Sequence, residues 1–306
     1  MSNTKLDNSN ISVHLGQTSQ YKSTYDAELL VREPRINNRK HLDIVDEDLP
    51  FEGCDVWNAY EISALTDSGV PVTGYAKVKY PCDSPCIVES KSIKLYFNSF
   101  NMTRLGIGAD NVINSIEYIS SRDLSKLLET DVEVKVYPAS VLQGGKNYFK
   151  NYITLEDVLT TRDIECSVYN ETPELLEATN ELSTTPTLTR YHSSLLKSNC
   201  RVTSQPDWGD VYIYMKGRTQ PSMESLLKYV VSFRDECHFH EEICETVYKR
   251  LLDTFNPDKL AVACLYVRRG GIDINPFRVS HGSLLQLSEF KSLIDMDVPF
   301  VKTTRQ

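Results

Sequence analysis

What the sequence lacks first is any device for crossing a membrane or wrapping nucleic acid. No apolar run approaches the ~18 residues of a membrane span. Cationic side chains are the minority: Lys plus Arg is 33 against 42 Asp plus Glu, a formal charge of −9. Duplex nucleic acid rewards a basic face through counterion release, so this balance argues against it. Small anionic ligands held by local Lys or Arg clusters stay open. The opening Met1-Ser-Asn-Thr-Lys-Leu-Asp-Asn8 has no apolar core of the secretory kind, and the 8 cysteines show no short scaffold spacing. The expectation is a cytoplasmic protein with reduced thiols and no membrane or nucleic-acid partner. Also missing are Cys-x-x-Cys pairs, His-Glu-x-x-His and a full Gly-x-Gly-x-x-Gly, the common zinc and dinucleotide spacings. Leu105-Gly-Ile-Gly-Ala-Asp110 offers only its first two glycines, so a doubly wound dinucleotide fold has little support.

What is there is an ordinary globular composition, 41% hydrophobic and 25% charged over 306 residues, enough for one large domain or two small ones. Residues 1 to 50 are polar and without sustained period, an extended lead-in packed only locally. From Val56 the pattern changes. Val56–Ala64 and Val72–Tyr80 are rich in β-branched and aromatic residues, with Thr66-Asp-Ser-Gly69 as a hairpin turn between them. Ile93, Tyr96, Phe97 and Phe100 recur at helical spacing, which predicts a helix starting at Glu89 or Ser90, and a second helix covers Ser121–Leu128. Val132–Tyr137 alternates as a strand and stops at Pro138.

The second half repeats that order. Cys200–Ser204 and Val211–Met215 flank a turn at Gln205–Gly209, and one long amphipathic helical region runs from Ser222 to Phe255. Leu260–Val267 reads as a buried strand closed by Arg268-Arg-Gly-Gly271. Strand–strand–helix–helix, twice, suggests a diverged tandem duplication joined between Gly145 and Thr187.

Four groups of residues can carry chemistry, each with a plainer alternative. In Ser198-Asn-Cys200-Arg-Val-Thr-Ser-Gln-Pro-Asp207-Trp-Gly209, a Cys opening a strand and an Asp folded back by the turn place a nucleophile beside an acid. Arg201 can lower the thiol pKa; alternatively the Cys is structural and Pro-Asp merely turns the chain. Phe239-His240-Glu241-Glu242 combines a proton carrier with a carboxylate able to grip paired N–H donors, or is a solvated polar patch. Cys237, His240 and Cys244, at i, i+3 and i+7, would share one helical face and could ligate zinc. Ser90-Lys91 with Lys94, and Arg268-Arg-Gly-Gly271, are anion candidates: a helix start and an arginine-glycine turn.

Taken together, Glu89-Ser-Lys-Ser-Ile-Lys-Leu-Tyr-Phe-Asn-Ser-Phe100, the Ser198–Gly209 segment, Phe239-His-Glu241 and Arg268-Arg-Gly-Gly-Ile-Asp-Ile-Asn-Pro-Phe-Arg278 resemble the NADPH-dependent 7-cyano-7-deazaguanine reductases, the nitrile reductases of queuosine biosynthesis. Their order is similar to that of the long, bimodular type. Leu15–Tyr21 and Tyr25–Leu30 are similar too, so the resemblance spans nearly the whole chain.

The resemblance implies an α+β fold of tandem tunnel-fold modules, with antiparallel sheets, helices packed on one face, and a barrel closed by strand-edge association. Its parts would be a lead-in over 1–50, a first module over 51–165 with the Glu-Ser-Lys-Ser segment, and a second over 166–306 with the catalytic Cys. It also implies a homodimer. It implies four-electron reduction of the nitrile to the aminomethyl product through a cysteine thioimide, with NADPH as cofactor and no metal. Cys200 would be the nucleophile and Asp207 the proton donor. Val88, Glu89, Ser90, His240 and Glu241 would hold the base; Ser90, Lys91, Arg269 and Gly270 would meet NADPH. Two alternatives remain: a zinc-dependent hydrolase similar to the GTP cyclohydrolases, and a non-catalytic purine-binding module.

Overall fold

The computed structural model of this chain describes residues 21–139, 148–159, 164–179, 184–201, 204–299 and 306. The 1–14 tail, most of the 15–21 motif and part of the expected join between the halves lie outside the described residues. In chain order the elements are β1 (Arg32–Pro34), α1 (Ile36–Arg39), β2 (Glu52–Leu65), β3 (Pro71–Pro81), β4 (Cys86–Val88), α2 (Ser90–Ser99), α3 (Ala109–Leu128) and β5 (Glu133–Pro138). There follow β6 (Ile153–Thr154), α4 (Leu155–Val158), β7 (Thr187–Cys200), β8 (Pro206–Gly217), α5 (Met223–Ser232), β9 (Cys237–His238), α6 (His240–Phe255), β10 (Lys259–Tyr266), β11 (Ile272–Val279) and α7 (Ser288–Ile294).

One sheet takes strands from both halves in the order β5-β3-β2-β11-β10-β8-β7-β6, with β9 also on β7, while β1 and β4 form a separate antiparallel pair. Pairing within the main run is antiparallel from β5 to β7; β6 and β9 join β7 in parallel. The seam between the halves is β2 against β11, running from Ile272 opposite Ala59 to Val279 opposite Glu52. The protein is thus a mixed α+β structure whose main sheet is largely antiparallel.

Alternation decides the layers, because successive strand residues face opposite sides. Trp57, Ala59, Val78 and Tyr80 pack with Ile93, Phe97, Val112 and Ile116 of α2 and α3, whereas Val262 and Cys264 pack with Val230, Ile243 and Val247 of α5 and α6. Burying each such side chain contributes on the order of 1.5–3 kcal/mol. The intervening residues Val56, Ala261, Ala263, Phe277 and Val279 meet Phe290 and Leu293 of α7. The four long helices therefore share one face as expected, but short α7 covers part of the other.

Three local expectations change. The first-half strands and α2 fall where periodicity put them, but α3 begins at Ala109, twelve residues ahead of the expected start. The expected long helix 222–255 is interrupted: α5 ends at Ser232, a short 3-10 turn and β9 follow, and α6 restarts at His240. The lead-in is not packed only locally. Arg35 and Arg39 are buried, and they bond to Asp55 of β2 and Glu245 of α6 respectively.

Candidate functional site

Cys200 closes strand β7 rather than opening one, which corrects the expected strand–turn–strand reading. Its N–H donates to Gln205 O (2.8 Å), and Ser204 N donates back to Cys200 O (2.9 Å) with Ser204 at φ +55°. That tight return brings Asp207, the second residue of β8, opposite Ser198 in the ladder. On its other edge β7 pairs with β9, Cys200 opposite His238. The break after α5 thus threads the chain past the thiol just before α6 begins.

The cleft receives side chains from both halves. About 250 Å³ in volume, it is lined by Glu89, Ser90, Lys91, Cys200, Asp207, His240, Arg269 and Gly270, together with Lys94, Tyr266, Val267, Ile272 and Ile274. A narrow inner recess shares several of these residues and adds Val88, Glu241, Trp57 and Phe239. All ten residues that the resemblance assigns to the site thus line one cleft and its recess. The first residues of α2 and α6, Ser90 and His240, both line it and bring the positive ends of two helix dipoles.

Glu89 is the cap of α2: its carboxylate accepts from Lys91 N (3.0 Å) and Ser92 N (2.7 Å). Each oxygen keeps a lone pair for a further donor. Asp207 is 2% exposed and accepts from Arg269 Nη1. His240 Nε2 lies 3.7 Å from Asp207 Oδ2, an electrostatic contact rather than a hydrogen bond. Its ring meets Tyr266 edge-on at 4.0 Å. Burial outweighs the pull of Asp207 and lowers the His240 pKa to about 4, so the ring is neutral near pH 7. Gly209 pairs with Tyr266, and a Cβ there would stand 3.1 Å from that ring; glycine lets the aromatic wall lie flat against β8. Gly270, at φ +57°, sits where a Cβ would be 3.1 Å from Lys94 Nζ. This turn is a backbone surface set close to a cation.

Beneath the recess, Glu241 is buried at 3% exposure, and its Oε1 has no hydrogen-bond partner. Burial first, and the neighbouring Asp55 second, raise its pKa to about 8. One turn along the helix, Glu245 experiences the reverse. Burial would raise its pKa, but Arg278, Arg39 and Arg35 hold it at about 2.

The helical face of Cys237, His240 and Cys244 weighed for zinc is not formed, because Cys237 precedes α6. Cys237 lies in exposed β9 before the helix break, and Cys244 is buried, donating weakly to Val262 O and Pro276 O. Among the described residues no three His, Cys, Asp or Glu side chains gather as a metal would require. Sequence reasoning missed Tyr266, Trp57, Ile274 and the network around Asp55. Each reads as core along its own strand, and only the pairing of β10, β11 and β2 brings them under the cleft.

Comparison with known proteins gives concordant matches. Residues 21–136 match the family model described as nitrile reductase, 7-cyano-7-deazaguanine-reductase N-term, and residues 206–283 match that of the QueF-like protein family. The NADPH-dependent 7-cyano-7-deazaguanine reductase of Legionella pneumophila (strain Paris) is 42% identical over 86% of this chain and 88% of its own. That of Acidovorax ebreus is 42% identical over 87% of this chain and 92% of its own, and that of Colwellia psychrerythraea 38% over 95% of each.

Proposed function

This chain belongs to the family of NADPH-dependent 7-cyano-7-deazaguanine reductases, and from that premise we propose that it reduces the nitrile of 7-cyano-7-deazaguanine to the aminomethyl group in queuosine biosynthesis. The observation that carries the reading is convergence. A thiol, a buried carboxylate, two acceptor carboxylates and three cations, drawn from separated segments, line one cleft.

Cys200 Sγ adds to the nitrile carbon while Asp207 delivers a proton to the nitrogen, giving a thioimide. This step needs an available thiolate and a positioned acid. NADPH, when bound, supplies two hydrides per nitrile, one to the thioimide carbon and one to the imine left when the sulfur departs. Asp207 again serves the nitrogen as it becomes an amine. His240, uncharged at neutral pH, lies beside the nitrile end without competing for that proton. Glu89 and Glu241 accept the paired N–H donors of the deazaguanine edge, one from each half, with Val88 and Ser90 against the base.

The donor set suits an anionic dinucleotide. Lys91 and Ser90 open α2, Lys94 faces the glycine turn, and Arg269-Gly270 completes it, a local cationic surface in a chain of net charge −9. Arg269 meets Asp207 through Nη1, which leaves its other N–H groups for a phosphate.

The wider architecture follows the same reading: a lead-in over 1–50 and two tunnel-fold modules over 51–165 and 166–306. Copies join through strand edges into a barrel as a cytoplasmic homodimer. The repeated element order supports the modules, and β5, paired on one edge only among the described residues, supports edge association. No helix among the described residues is long and apolar enough to cross a membrane.

Mixing the protein with the nitrile alone should add the ligand's mass to the chain. Adding NADPH should then consume two equivalents per nitrile, read as loss of nicotinamide absorbance. Base binding without NADPH consumption would support the purine-binding module instead, and one zinc per chain with hydrolysis of a purine nucleotide would support the cyclohydrolase alternative.

A further inference from the structure

The three buried arginines beneath the cleft are each paired with other carboxylates, and none forms an ion pair with Glu241. Arg35 donates to Asp55 (2.5 Å) and Ser84 (3.1 Å). Arg39 forks onto Glu245 at 2.9 and 2.8 Å. Arg278 bridges Glu245 (2.8 Å) and Asp55 (2.9 Å). Glu241, on the same helix one turn before Glu245, has no Lys, Arg or His within ion-pair distance among the described residues. The groups facing it are Asp55 from β2, Arg35 from the lead-in, Arg278 from β11, Tyr80 from β3 and Tyr266 from β10. Both tyrosines are held far above their usual pKa by burial, so they stay neutral. After burial, Asp55 is the largest influence disfavouring a second negative charge.

A buried carboxyl in these surroundings keeps its proton in the empty protein, because an isolated charge there is costly. A nucleobase offering two adjacent N–H donors supplies what the site lacks, a bidentate partner for a carboxylate. Resting on the reading of the cleft as a deazaguanine site, we propose that the base is taken up in exchange for a proton: Glu241 gives its acidic hydrogen to solvent as its two oxygens accept the paired N–H donors. The bond lost is O–H, two N–H···O contacts replace it, and a hydrated proton leaves. Glu89 differs in that two backbone N–H groups already serve its oxygens. Affinity for the base then depends on pH although the base itself is neutral, tightening as pH rises until Glu241 is ionised without it.

The test uses the full chain carrying Cys200→Ala, so that 7-cyano-7-deazaguanine binds without a covalent bond. Calorimetric titration in buffers of different ionisation enthalpy counts the protons exchanged. Close to one proton released per base at pH 7, falling toward none by pH 9, with Kd tightening close to tenfold from pH 6 to pH 7, is the expected result. Adding Glu241→Gln should abolish the release and flatten the pH dependence, whereas adding Glu89→Gln should weaken binding yet keep the release. Binding with no proton exchange would overturn the proposal and leave the deazaguanine site standing. Absence of any binding by a folded Cys200→Ala chain would overturn both.

Discussion

At the residue scale, the thiol and the carboxylate are legible in the chain itself. Seven positions apart around a Pro-containing turn, they admit a structural reading when taken alone, and it is their resemblance together with the other three motifs that singles them out. Their geometry is not legible there, because whether Cys200 ends or begins a strand depends on β9 pairing beside it. Cys200→Ala should abolish both the covalent adduct and turnover, as read by intact-protein mass and nicotinamide absorbance. Asp207→Asn should slow adduct formation by ~10²-fold or more, the usual weight of a positioned acid; stopped-flow mixing with the nitrile measures it. His240 makes a separate prediction about stability. Its folded pKa, about 4, lies below the ordinary 6.5. Protonation therefore favours the unfolded chain, and stability falls as pH drops from 6.5 toward 4. Melting temperatures of His240→Gln should decline less than those of the parent over that window. An equal decline would assign the acid sensitivity elsewhere.

Elements carry the next level of the site, and two helix starts do most of the positioning. Apolar spacing located α2 and its cap correctly, since Ile93, Tyr96, Phe97 and Phe100 need a helical period and Glu89 immediately precedes the first helical residue. The start of α6 was obscured: apolar residues continue through 222–255 at near-helical spacing, with no proline or glycine after Pro221 to mark the interruption. The interruption coincides with the pairing of β9 on β7, a contact between distant segments. Glu89→Ala should act twice, losing about 1 kcal/mol of stability with the cap and ~1.5–3 kcal/mol of base affinity with a charge-assisted acceptor. Denaturant titration and calorimetric binding separate the two losses. Glu245→Ala should destabilise more, by about 3–5 kcal/mol, because it leaves buried arginines without their shared counter-ion. Urea unfolding of this variant checks that magnitude, and a loss below 1 kcal/mol would show that the network relaxes to other partners.

For the whole molecule, the two halves share one sheet. The β2–β11 seam is continuous, and the Arg39–Glu245 and Arg278–Asp55 pairs bind the lead-in, β2, β11 and α6 together beneath it. Scanning calorimetry should accordingly show a single unfolding transition with calorimetric and van't Hoff enthalpies in agreement; two resolved transitions would mean that the halves are independent units. The amino-acid order by itself determined the strand and helix grammar, its repetition and the chemical types of the site, since periodicity and motif spacing are local properties of the chain. Only the tertiary structure decided where Cys200 sits in its strand, why Arg35 and Arg39 of the polar lead-in are buried, and which carboxylate of Glu241 and Glu245 receives arginines. Those outcomes depend on contacts between segments as much as 223 positions apart, where burial and charge pairing act through space.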